Sequence, residues 1–139
     1  MITQTLCNIF KLNLLKGLED FDPASSSVYK IALYTGFANL GADTLAYTTD
    51  HEVTGGGYTA GGKTLTKVAP SLSGSTAIVT FQNVTWNPAT FSARCALIYN
   101  SSTNAAVAVL DFGSTKTAGG TFTITFPEAN ANSAIIRIS

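Results

Sequence analysis

Charge is scarce in this chain. Only 12% of its 139 residues are charged, and eight basic side chains balance eight acidic ones to a formal net charge of zero. A neutral chain lacks the broad attraction with which nucleic-acid binders grip phosphate, so nucleic acid is excluded as a main partner. Cysteine is scarce too: Cys7 and Cys95 stand far apart, in no CxxC pair and in no Cys/His cluster of zinc-binding spacing. They read as buried thiols, with a disulfide between them left open. His51 is the only histidine. No apolar run approaches the roughly 20 residues that cross a bilayer, and the N-terminal stretch has neither a basic leader nor a small-residue cleavage site. The expectation is a soluble protein made in a cytoplasm, with no membrane partner.

What is present is 45% hydrophobic residues and a mean hydropathy of +0.24, the composition of a chain that folds. Leu6, Ile9, Phe10, Asn13, Leu14 and Leu18 recur at helical spacing, and Gly17 or the acidic stretch after Leu18 should end that helix. From Val28 onward short segments alternate apolar residues with threonine, as in Phe122-Thr123-Ile124-Thr125-Phe126, the period of a half-buried strand. Strands are predicted at Val28–Thr35, Thr64–Val68, Ala77–Phe81, Val84–Trp86, Phe91–Tyr99, Ala105–Phe112, Thr121–Phe126 and Ala134–Ile138. Turn formers separate them, among them Gly55-Gly56-Gly57, Ser71 to Ser75 and Gly113 to Gly120. The pattern predicts an all-β fold, an antiparallel β-sandwich or jelly roll with one short N-terminal helix. Residues 1–22 form the helical segment and residues 23–139 a single β-sandwich domain. Phe91–Tyr99 and Ala105–Phe112 should pair as a central hairpin, Arg94 should face outward, and the last strand must be paired in the sheet or by a neighbour.

Motifs with a chemical look fail on context. Gly57-Tyr58-Thr59-Ala60-Gly61-Gly62-Lys63-Thr64 satisfies the P-loop expression, and Val107 to Asp111 resembles the strand whose aspartate would hold magnesium. A P-loop, however, needs a strand before it and a helix after it, and here Thr64-Leu65-Thr66-Lys67-Val68 follows with strand alternation. It reads as a Gly-rich loop. Asp111-Phe112-Gly113 has no catalytic loop to accompany it. Asp50, His51 and Glu52 read as a solvated polar loop, since adjacent strand residues point apart. No catalytic residue, cofactor site or metal site is assigned, and the expectation is a protein that is not an enzyme.

In this setting the chain resembles small structural proteins of tailed-bacteriophage virions. The likeness lies in Lys30-Ile31-Ala32-Leu33-Tyr34-Thr35, Ala38-Asn39-Leu40-Gly41-Ala42, Ala46-Tyr47-Thr48, Glu52-Val53-Thr54-Gly55 and Gly57 to Leu65. It continues through Trp86, Arg94 to Tyr99, Ala106 to Gly113, Gly120 to Thr123, Phe126-Pro127 and Ala134 to Ile138. The resemblance implies a capsid decoration, or cement, protein that binds the major capsid protein on the virion surface and is made in the host cytoplasm. A tail or head-to-tail connector component is the alternative. A carbohydrate-binding receptor-recognition module is a third reading; it needs exposed aromatics on one face, for which Tyr34, Tyr47 and Tyr58 are candidates, while Trp86 and Tyr99 belong more naturally to the core.

Two interaction surfaces are expected. The helical segment has more apolar residues than one buried stripe requires, which assigns Leu6, Ile9, Phe10, Leu14 and Leu18 to docking on a partner or a neighbouring copy, and makes Met1 to Leu18 removable without unfolding the sandwich. The Gly-rich loop has too little core content to order itself, which assigns Gly57, Tyr58 and Lys63 to a second contact ordered by a partner. Self-association as a dimer or trimer is expected.

Overall fold

The computed structural model describes residues 1–139. Its elements are β1 (Thr5–Leu6), α1 (Asn8–Leu15), β2 (Tyr29–Tyr34), β3 (Lys63–Thr64), β4 (Ser71–Ser73), β5 (Thr76–Val79), β6 (Val84–Ala89), β7 (Ser92–Asn100), β8 (Ala105–Thr117), β9 (Gly120–Ile124) and β10 (Ile136–Ile138). A five-stranded sheet runs β1-β8-β7-β2-β3, with β10-β5-β4 and β6-β9 as smaller sheets, and every named strand pair is antiparallel. The chain is an all-β, sandwich-like protein with one short helix.

The β7–β8 hairpin sits in the middle of the large sheet, as its lack of charge predicts. Cross-strand register puts Ile31, Ile98 and Ala108 in one row and Ala32, Leu97 and Val109 in the next. Neighbouring rows point to opposite faces, and all six residues are buried. Both faces of this sheet are therefore covered, which is why β2 and β7 are nearly continuous apolar runs rather than alternating ones. Aromatic rings fill the space between sheets. Phe21 stacks on Tyr29 at 4.5 Å, Phe81 meets both, and Trp86, Phe91 and Phe122 form a second cluster with centroids 5.2–6.2 Å apart.

Helix α1 ends where Gly17 takes φ 71°, a left-handed conformation that glycine adopts without steric cost. The Gly17 amide donates to the Leu14 carbonyl and the Leu18 amide to the Asn13 carbonyl, the paired bonds of a Schellman cap. Three sequence expectations are corrected. Ser71 to Ser75 is a turn only at Gly74 and Ser75; Ser71–Ser73 form β4, which pairs with β5 across that turn. β8 continues through Gly113 to Thr117, because Phe112 to Thr115 bulge opposite Arg94 before pairing resumes at Lys116 and Ala93. Residues 1–22 are integral to the sandwich: β1 pairs with β8, and Cys7, Phe10 and Phe21 belong to the same hydrophobic cluster as β2, β7 and β8. Removing Met1 to Leu18 would uncover that cluster. The last strand is paired, with β5.

Candidate functional site

The predicted docking residues of the helical segment divide by face. Phe10 is 1% exposed and sits edge-on to Phe21 at 5.9 Å, so it is core rather than interface. Leu6, Ile9 and Leu14 are half-buried against the same core. Only Leu18 of the five is exposed, at 50%. The surplus apolar surface is carried instead by Leu12 and Leu15, 48% and 87% exposed and three residues apart on the outer face of α1. Phe10, Asn13 and Leu14 face inward, Leu12 and Leu15 form an apolar ridge on the outer face, and Leu18 is half exposed beyond the Gly17 cap.

The Gly-rich loop is ordered from within. Glu52, which the sequence places on a solvated loop, is 9% exposed and organises the segment. Its Oε1 accepts from the Tyr47 hydroxyl at 2.6 Å, and its Oε2 accepts from the Tyr58 hydroxyl at 2.5 Å and the Gly61 amide at 2.8 Å. The Tyr58 oxygen in turn accepts the Leu33 amide at 2.9 Å, and the Tyr99 hydroxyl donates to the Gly61 carbonyl at 2.6 Å. Burial first, and the hydrogen bond to Glu52 second, push the Tyr47 and Tyr58 phenols well above the ordinary tyrosine range, so both remain protonated donors. Gly57, at φ 90°, lies so close to the chain at Pro88 that a Cβ would fall 1.9 Å from its carbonyl oxygen. Lys63 is exposed; its ammonium donates to the Thr85 carbonyl and lies 5.9 Å from the centre of the Trp86 ring. The premise that the loop has too little core content to order itself is thus corrected at Gly57 and Tyr58. The signal in the sequence was the acidic residue set among Tyr47, Tyr58 and glycines.

The P-loop-like string itself ends in a strand, β3, and no helix follows it, so no helix N-terminus converges on a phosphate there. Tyr34, Trp86 and Tyr99 are buried, while Tyr47 and Tyr58 are half-buried and spend their hydroxyls on Glu52. These five side chains therefore form no exposed aromatic face; the exposed aromatic ring is Phe37, 83% exposed and beside His51. Arg94 is not a free outward cation: it is half-buried and ion-paired with Asp111, which, with the Gly113 amide, holds the Asp111 carboxyl below its usual range. Cys7 and Cys95 are unpaired, and burial pushes both thiols up to about 11, which leaves them poor nucleophiles.

A second buried carboxyl, Glu19, is 7% exposed. Its Oε1 accepts from the Tyr29 hydroxyl and the Asn100 amide, each at 2.9 Å, and its Oε2 has no partner. Burial raises its pKa, against the pull of those two bonds.

Together these features define a class: an all-β antiparallel protein braced by buried carboxyl–tyrosine contacts, with large apolar side chains exposed at Leu12 and Leu15 on its helix and at Phe37, Leu45 and Leu72 elsewhere. No protein-family model, curated protein or solved structure matches the chain. No helix is long and apolar enough to cross a membrane.

Proposed function

We propose that the protein is a non-enzymatic virion component that decorates the capsid shell by binding the major capsid protein. The observation that carries this reading is the apolar ridge of Leu12 and Leu15 on a helix whose inner face is anchored in the core, with Leu18 half exposed just beyond its cap. Such a ridge is a rigid apolar contact, presented without the entropy cost of ordering a free segment. The resemblance of nearly the whole chain to small phage structural proteins supports the same reading. The capsid protein takes the ridge, and copies of the chain associate around it as dimers or trimers.

The test is addition of purified protein to phage heads assembled without it, with copies per head counted by quantitative gel and electron microscopy. Decoration predicts occupancy across the icosahedral shell and its loss in the Leu12→Asp, Leu15→Asp double variant, whose melting temperature stays near that of the parent because both positions are exposed. A few copies confined to one vertex would transfer the protein to the head-to-tail connector. No binding to heads would overturn the virion reading.

A further inference from the structure

Four strand edges are left open at one place. β1 pairs only with β8, β9 only with β6, and β10 only with β5; beyond Leu110, β8 pairs on one side only, with β7. Two adjoining clefts of about 540 and 240 Å³ lie between these strands and share Gln4, Leu110 and Ile135. The larger is bordered by every residue from Thr121 to Pro127. β9 pairs with β6 along one edge only, so the N–H and C=O groups of its other edge are left without strand partners where residues on both faces of the strand border the cleft. Natural edges are blunted by charge or proline, and β9, Gly-Thr-Phe-Thr-Ile, has neither.

The charge at the rim is one-sided. Lys116 borders the larger cleft and Arg137 the smaller, and neither has a carboxylate within ion-pair distance. The one acidic side chain of the rim, Asp111, is already engaged by Arg94. Phe122, Leu110 and Ile135 supply the apolar floor.

We infer that this cleft receives an extended acidic segment of another protein, which adds as a strand to β9 and places its carboxylates against Lys116 and Arg137. Backbone bonds to the open edge give affinity, alternate apolar side chains enter the floor, and the two cations select the acidic sequence. Pairing β9 with its own copy around a twofold axis would bring the same two cations together with no acid to offset them, so the occupant is a different chain. The inference does not depend on the virion reading.

The test uses the full chain, isotopically labelled, titrated with a synthetic peptide of about nine residues, the length that spans a short strand with overhang. The peptide alternates valine and threonine with two threonines replaced by glutamate, and its counterpart carries lysine at those places. Expected are amide shifts in Thr121–Ile124 and Phe112–Thr117, with the glutamate peptide binding about tenfold tighter than the lysine one, the effect of two exposed pairs. Lys116→Glu should remove most of that preference. Failure of both peptides to bind, equal binding, or shifts elsewhere would overturn the inference. So would concentration-dependent shifts at the same amides without peptide, which would give the edge to a second copy.

Discussion

The molecule buries two glutamates and treats them differently. Glu52 accepts three hydrogen bonds spread over both carboxyl oxygens, one from Tyr47 ahead of the Gly-rich loop and two from Tyr58 and Gly61 within it. Glu19 accepts two, both on Oε1, and its Oε2 is buried without a partner. A carboxyl offers about four lone-pair positions, and each one that is desolvated without a donor costs stability. The comparison teaches that burial alone does not decide what such a group does. Glu52 is a fastener, whose removal strands three donors. Glu19 links the segment after α1 to β2 and β7 through Tyr29 and Asn100, but it is only half provided for, and burial accordingly favours its protonated form.

The sharpest break in that comparison is Glu52→Ala. It leaves two phenols and the Gly61 amide without their acceptor in a largely dry setting, and the expected loss is about 4 kcal/mol in urea unfolding, with the Gly55–Gly62 amides exchanging faster with deuterium. A loss below about 1 kcal/mol would show that the loop is held by its glycine contacts alone. Next in size is Tyr58→Phe. It keeps the ring against Trp86 and Phe91 but removes the hydroxyl that both donates to Glu52 and accepts from Leu33. About 2 kcal/mol is expected, and in the Glu52→Ala background the same substitution should cost much less, since the two share one network.

The fold was legible from the residues and the site much less so. β7 and β8 announced themselves as two apolar runs almost free of charge around a five-residue loop, Asn100 to Asn104, and the period-2 pattern marked β9. The failures lie where the local pattern is ambiguous and three-dimensional contacts decide. Phe10 and Leu12 look alike in a helical stripe, and only the docking of α1 on β8 and Phe21 decides that one is core and the other surface. Glu52, beside exposed Asp50 and His51, has the local signature of a solvated loop, because its donors lie at Tyr47, Tyr58 and Gly61 and chain bending must bring them in. The β8 extension past Gly113 was hidden by a glycine that serves a bulge rather than a turn; its φ of 82° fits either use.

The smallest effect expected, and the one that tests the other half of the comparison, comes from Glu19→Gln. The amide oxygen can accept from Tyr29 and Asn100 as Oε1 does, and the amide nitrogen replaces the orphan Oε2, so at neutral pH the change should be worth no more than about 1 kcal/mol. Its pH dependence is more telling. Glu19 titrates higher in the folded chain than in the unfolded one, so the unfolded state releases the proton first as pH rises. The parent protein should therefore hold its full stability below the ordinary glutamate range and lose part of it as pH climbs from that range through the raised value, after which the loss is constant. The Gln variant lacks this step. Subtracting the two melting curves between about pH 4 and pH 7 isolates it from every other group, because all other carboxyls are shared. A difference that drifts in the variant's favour with rising pH confirms a carboxyl penalised by its burial. A flat difference would mean that a water molecule reaches Oε2 and does for Glu19 what the Gly61 amide and Tyr58 do for Glu52.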